Sequence, residues 1–132
     1  MIEAAALDTT FLIDLQRSRR NEKRLNAEAW LENNATTVLK IPVVVLGEFA
    51  SGFENPEAIE ITELRLGHEL LTINENEAIL YSRLYRKMRD DGTLIGANDL
   101  WIAVIALTAD LPLLSRNTKH FGRVEGLELI SY

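Results

Sequence analysis

The chain has 132 residues, 47% hydrophobic and 26% charged, a composition that suits one globular domain spanning 1–132 with no disordered arm. It contains no cysteine, which excludes disulfides and thiolate zinc sites, and its two histidines, His68 and His120, lie far apart and form no ligand pair. The formal net charge of −6 argues against wrapping DNA or RNA by charge alone.

The N-terminal "MIEAAALDTTF" has no basic segment and no long apolar run, so it does not read as a signal peptide. No stretch approaches the ~18 apolar residues of a membrane span. Both points imply a cytoplasmic protein with no membrane partner. "AAAL" (4–7) reads as a buried strand and "TFLIDLQR" (10–17) as a helix. In "NEKRLNAEAWLENN" (21–34) Asn21 is the expected N-cap, with Leu25, Ala29 and Trp30 on one side. "TVLKI" (37–41) is a strand, and Pro42 suits the first turn of a helix whose apolar stripe is Val45, Leu46, Phe49, Ala50 and Phe53. Pro56 is expected to open a helix reaching about Leu70, and "LLTI" (70–73) is a third strand. Asn74 and Glu77 form a capping-box pattern for a helix running to about Asp90. "DDGTLIGAN" (90–98) is a loop, followed by a helix with Asn98 as its expected N-cap and Asp99 at its head. "LPLLS" (111–115) and "LELIS" (127–131) are the remaining strands. The chain holds no repeat, low-complexity tract or linker.

Strands alternating with helices imply a mainly parallel sheet covered on both faces, and such folds gather functional residues beyond the carboxyl ends of their strands. Asp8 directly follows the first strand, Asn117 lies just past "LPLLS", and Asp99 heads a helix after a glycine-containing loop. Asp99 admits two readings. A carboxylate in the first turn offsets the helix dipole. Yet eight uncharged residues, Leu100 to Leu107, follow it, and its helical neighbours Ile102, Ala103 and Ala106 make an apolar face. A carboxylate aimed into such a region is costly unless paired or metal-bound. Glu48 is the only charge between Lys40 and Glu54. Its position away from Leu46 and Phe53 also fits an exposed helix face. Twelve of the fourteen basic residues fall in three groups, 17–24, 83–89 and 116–123, whose plain role is solvation, while Glu54, Glu57, Glu60, Glu63 and Glu69 make an acidic segment.

"ALDTTFLIDL", "VVVLGEFASG", "IGANDLWIAVIAL" and "LLSRNTKHFGRVEGLELI" together resemble the PIN-domain ribonucleases, and most closely the VapC toxins of bacterial toxin–antitoxin (VapBC) pairs. The resemblance covers nearly the whole chain in order. "NDLWIA" followed by "SRNTKHF" is its specific part, whereas "LDTT" alone is weak. It implies a three-layer α/β/α domain with a mainly parallel central sheet. It also implies a Mg²⁺- or Mn²⁺-dependent endoribonuclease acting on RNA, usually a homodimer, silenced by a VapB-type antitoxin in a larger complex. Asp8, Glu48 and Asp99 match the family's acidic triad as metal ligands and catalytic groups. Asn117 matches a fourth catalytic position that is often Asp, and the amide there lacks the negative charge. His120 stands where a related pattern often has an acid and is assigned no chemistry.

The chemistry agrees with that assignment. Oxygen-only ligands suit Mg²⁺ or Mn²⁺. Phosphodiester hydrolysis needs an activated water and a stabilised leaving oxygen, and a metal supplies both. A bound cation and the basic groups would also draw RNA phosphates to an acidic protein. A haloacid-dehalogenase-like phosphatase would need a second acid two residues after Asp8, where Thr10 stands. A receiver-like phosphoacceptor module would need an acidic neighbourhood and a late Lys that are not at matching places. A catalytically inactive PIN-like domain that binds RNA or a partner is the remaining alternative, and it would have no need of Asp8, Glu48 and Asp99.

Overall fold

A computed structural model describes residues 2–132. Five strands are present: β1 (Ala4–Leu7), β2 (Val38–Pro42), β3 (Leu70–Leu71), β4 (Leu113–Leu114) and β5 (Leu129–Ile130). Seven helices separate or flank them: α1 (Thr9–Leu15), α2 (Glu22–Asn33), α3 (Val43–Ser51), α4 (Ile59–Gly67), α5 (Glu75–Asp91), α6 (Ala97–Thr108) and α7 (Thr118–Phe121). The sheet is parallel throughout, in the order β3-β2-β1-β4-β5. β1 pairs with β2 through Ala5 and Leu39 and with β4 through Leu7 and Leu114. The α/β/α architecture expected from the alternation is therefore present.

The chain first walks from β1 outward to β3, then crosses back to β4 and β5. Right-handed crossovers place the helices of the first walk on one face and those of the return on the other. The reversal lies between β1 and β4, and at such a point adjacent connections diverge and open a crevice at the carboxyl ends. Asp8 leaves β1 there, and Ser115 to Asn117 leave β4 there.

The core has the hydrophobic layering this topology requires. Ala5, Ala6 and Leu7 in the central strand are buried, as are Leu113 and Leu114 beside them. α6 is buried over Leu100 and Ile102 to Ala106, apolar on nearly all sides because it packs under α5 and over the sheet. α5 carries the expected capping box, with Glu77 accepting from the Asn74 backbone N–H, and it ends at Gly92 in the left-handed conformation (φ 70°).

Several boundaries differ from the sequence reading. α6 begins at Ala97 with Gly96 as its N-cap, so Asn98 and Asp99 are its second and third residues. Gly96 caps with an ordinary extended backbone (φ −58°, ψ 152°), and the Asn98 side chain, inside the first turn, faces Glu48 instead. Pro56 does not open α4. The Asn55 side chain accepts from the Glu57 N–H and forms a turn first, and the helix starts at Ile59. α2 buries Ala27 and half-buries Trp30 and Leu31, while Leu25 and Ala29 face solvent. Its apolar face is rotated from the expected side because Trp30 turns inward onto Phe11, edge to face at 6.0 Å.

Candidate active site

Asp8 is the hinge of the site. It is 3% exposed and serves as the N-cap of α1, its Oδ1 accepting from the Thr9 N–H at 2.8 Å. Its Oδ2 accepts from the Ser115 hydroxyl at 2.7 Å and from the Thr10 hydroxyl at 2.9 Å. Ser115 is fully buried and also accepts from the Asn117 N–H at 2.9 Å, so β1 and β4 are tied together at their carboxyl ends. Glu48 reaches the same end from α3. It is half-buried, with Oε1 accepting from the Thr9 hydroxyl at 2.6 Å and Oε2 facing the Asn98 amide at 3.4 Å. That contact replaces the exposed helix face with a site position.

Asp99 enters from the first turn of α6. Its Oδ2 lies 3.8 Å from His120 Nδ1, and the same His120 nitrogen lies 3.1 Å from the Asn117 amide nitrogen. Asp8, Glu48, Asp99 and Asn117 thus meet at one end of the sheet, from β1, α3, α6 and the β4 exit. The remaining histidine, His68, is elsewhere, bonded through Nδ1 to the Leu64 carbonyl. Thr9, Thr10 and Ser115 are parts of the site to which the sequence reading gave no role, and His120, assigned no chemistry there, lies beside Asp99 and Asn117. The repeated hydroxyls in "DTT" and the Ser beside Asn117 were the available signal, since a buried carboxylate at a strand end needs local donors.

Charge at this end is unbalanced. Burial pushes the Asp8 carboxyl up, against the pull of its hydroxyl and N–H donors, and the charge of Glu48 adds to the rise. Burial also pushes Asp99 up, reinforced by the charges of Asp8 and Glu48 and opposed by His120. Among the described residues no Lys or Arg is ion-paired with any of the three. A converging set of oxygens without a resident cation suits a hard divalent ion. As the side chains stand, no three acids or histidines among the described residues are gathered tightly enough to enclose one. That spacing still fits Mg²⁺, which commonly takes one or two protein carboxylates and completes its shell with water and phosphate.

A second carboxylate cluster lies behind the site. Asp14, on α1, has a fully buried side chain, and it accepts from Arg17 Nε at 2.8 Å, Arg116 Nε at 2.8 Å, Arg116 Nη2 at 3.2 Å and the Tyr132 hydroxyl at 2.7 Å. Although burial works against the charge, the two guanidinium groups and the phenol hold the Asp14 carboxyl at about 2. The same desolvation and the neighbouring carboxylate push the Tyr132 phenol up.

Residues 5–127 match the PIN domain family. The chain is 31% identical to Ribonuclease VapC1 of Methanocaldococcus jannaschii over 96% of its own length and 85% of that protein's. It is also 31% identical to Ribonuclease VapC1 of Haemophilus influenzae, over 92% of each. In three dimensions it resembles a chain in the structure of VapBC-1 from nontypeable Haemophilus influenzae, with a TM-score of 0.79, 28% identity and 97% of each chain covered. With its acids assembled at the switch point of a parallel sheet, and with the family match running over residues 5–127, the chain belongs to the PIN-domain family and, within it, to the VapC group.

Proposed function

We propose that the protein is the toxin of a VapBC-type toxin–antitoxin pair, a cytoplasmic endoribonuclease that cuts RNA phosphodiester bonds with Mg²⁺ or Mn²⁺. The observation that carries this reading is the meeting of Asp8, Glu48 and Asp99, without a Lys or Arg partner, at the carboxyl edge of β1 and β4. The names of the similar proteins supply the substrate class, RNA, and the VapB-type antitoxin as partner.

Asp8, Asp99 and Glu48 would hold the cation, directly or through its waters. When bound, the ion supplies charge stabilisation to the scissile phosphate and acidifies a water. The chain's own groups perform the positioning. Thr10 and Ser115 fix the Asp8 carboxylate in one rotamer through hydroxyls on its Oδ2. Thr9 holds Glu48 toward the same centre. Asn117 and His120 form the polar rim next to Asp99, where the amide hydrogen-bonds and adds no charge. We further propose a homodimer. The test is cleavage of total cellular RNA by purified protein, with and without Mg²⁺ or Mn²⁺. Metal-dependent cutting is expected. Intact RNA under all metal conditions would return the protein to a binding role.

A further inference from the structure

Asp14 is a wholly buried carboxylate that lies outside the metal-facing set. Taking such a charge out of water is expensive, and the network around it is complete: four donor contacts from three residues on two oxygens. Its position along α1 gives the network a consequence at the site. Asp8 caps α1, and Asp14 follows six residues later on that same short helix. The chain leaving β4 meets that element twice. Ser115 gives its hydroxyl hydrogen to Asp8, and the next residue, Arg116, forks onto Asp14. Side chains alternate as the chain continues, so Asn117 turns to the His120 and Asp99 side while its N–H donates back to Ser115. Tyr132, past β5, closes the network from the sheet's far edge and packs edge-on against Phe11 at 4.9 Å.

We propose that Asp14 is a positioning residue: by clamping Arg116 it holds the Ser115–Asn117 segment in register with α1, and so sets the rotamer of Asp8 and the place of Asn117. The proposal rests on the ribonuclease reading for its effect on rate, but not for its effect on structure. A planar guanidinium forked onto two oxygens fixes direction as well as distance, which a lysine ammonium cannot do. The clamp therefore predicts that Arg116→Lys is not conservative even though charge is retained.

The experiment compares the full chain with Arg116→Lys, Asp14→Asn and Tyr132→Phe, and Arg116→Lys keeps it decisive if Asp14→Asn fails to fold. In the metal-free protein, amide hydrogen exchange is followed at Asn117, whose N–H meets Ser115, and at Ala6, whose N–H meets the Pro112 carbonyl in the sheet. In Arg116→Lys, Asn117 protection is expected to fall about tenfold or more relative to Ala6, since only local opening is altered. With Mn²⁺ and a defined RNA, kcat is expected to fall about 10- to 100-fold with KM little changed, the size seen when a group orienting a metal ligand is lost. Tyr132→Phe, which removes one donor of four, is expected to lie between wild type and Arg116→Lys in both readouts. Unchanged Asn117 protection in Arg116→Lys would overturn the clamp. So would lower thermal stability with wild-type kcat below the melting range, which is the signature of a purely structural pair. A wild-type protein that cuts no RNA would overturn the ribonuclease reading instead, and the amide comparison would still decide whether Asp14 positions the segment.

Discussion

Asp8 and Asp99 are both carboxylates that burial holds above their ordinary pKa, yet they differ in what they hold in return. Asp8 accepts three hydrogen bonds, whereas among the described residues the side-chain partner of Asp99 is His120, at a long 3.8 Å. A carboxyl raised in the folded state removes stability as pH rises from its unfolded pKa to its folded one, because folding then disfavours the ionised form. Asp99→Asn should therefore raise the thermal midpoint of the metal-free protein at pH 7 while lowering cleavage more than about 100-fold, since an amide is a poor metal ligand. Asp8→Asn should lose as much activity but also about 1–3 kcal/mol of stability, because the amide nitrogen would face hydroxyl donors. Melting curves beside cleavage assays separate the two, and full activity in either folded variant would remove it from the catalytic set. Divalent metal should do the reverse to the wild type, raising stability by about 2.7 kcal/mol at a hundred times its Kd. Glu48→Gln keeps an acceptor for Thr9 but loses a charge at the site, so activity and Mn²⁺ response should drop about tenfold or more. Equality with wild type in both would leave Glu48 as a brace for Thr9 alone.

α1 unites the two carboxylates that the fold treats oppositely. Asp14 is held at about 2, below its ordinary 3.8, so the unfolded chain takes up the proton first as pH falls. Its contribution, about 2 kcal/mol, is complete above the unfolded value and is lost as pH falls from about 4 through about 2. Urea titrations across that range should show the loss in wild type and a flatter profile in Asp14→Asn; parallel profiles would mean that Asp14 is not the group responsible. The legible parts of this architecture were those set by local physics. The β1 run, the Asn74–Glu77 cap of α5 and the apolar helix after Asp99 are each written in consecutive residues. The acidic set was legible through placement after strand ends and through family resemblance. Asp14 was not, because "IDLQR" reads as an amphipathic turn that shows only its local partner Arg17, while Arg116 and Tyr132 lie 102 and 118 positions away. α7 escaped notice for a related reason: four residues are too few to show a helical period. α4 began later than its proline suggested because the Asn55 turn competes with the helix for the same backbone groups.

At the scale of the whole molecule one aromatic row reaches the surface. Tyr81, half-buried against the core, stacks on Trp101 at 4.0 Å and on the exposed Tyr85 at 6.3 Å, joining α5 to α6. That row is the apolar surface best suited to a homodimer, which needs about 800 Å² per partner. Light scattering should give about twice the 14.9 kDa chain mass, and Tyr85→Arg should return it to one chain. A monomer at micromolar concentration would remove the dimer from the proposal. The antitoxin faces a different demand, since it must silence an end of the sheet where three carboxylates have no Lys or Arg partner among the described residues. An Arg among Asp8, Glu48 and Asp99 would replace the metal's charge and fork onto a carboxylate. Between α1, α3 and α4 lies a groove lined by Leu12, Leu15, Phe49 and Leu64, with Glu60, Glu63 and His68 also on it. An apolar helix anchored at i, i+4 and i+7 fits such a groove, and the acidic rim favours basic flanks on it. We therefore expect the cognate antitoxin to seat a helix there and extend an Arg to the acids. Mn²⁺ titration of the purified complex tests this with the Arg→Ala antitoxin. Metal binding should return in that complex, and cleavage with it where the helix leaves the RNA path open. If the Ala complex excludes Mn²⁺ as fully as the native one, charge replacement is wrong, and the helix must silence the site by covering it.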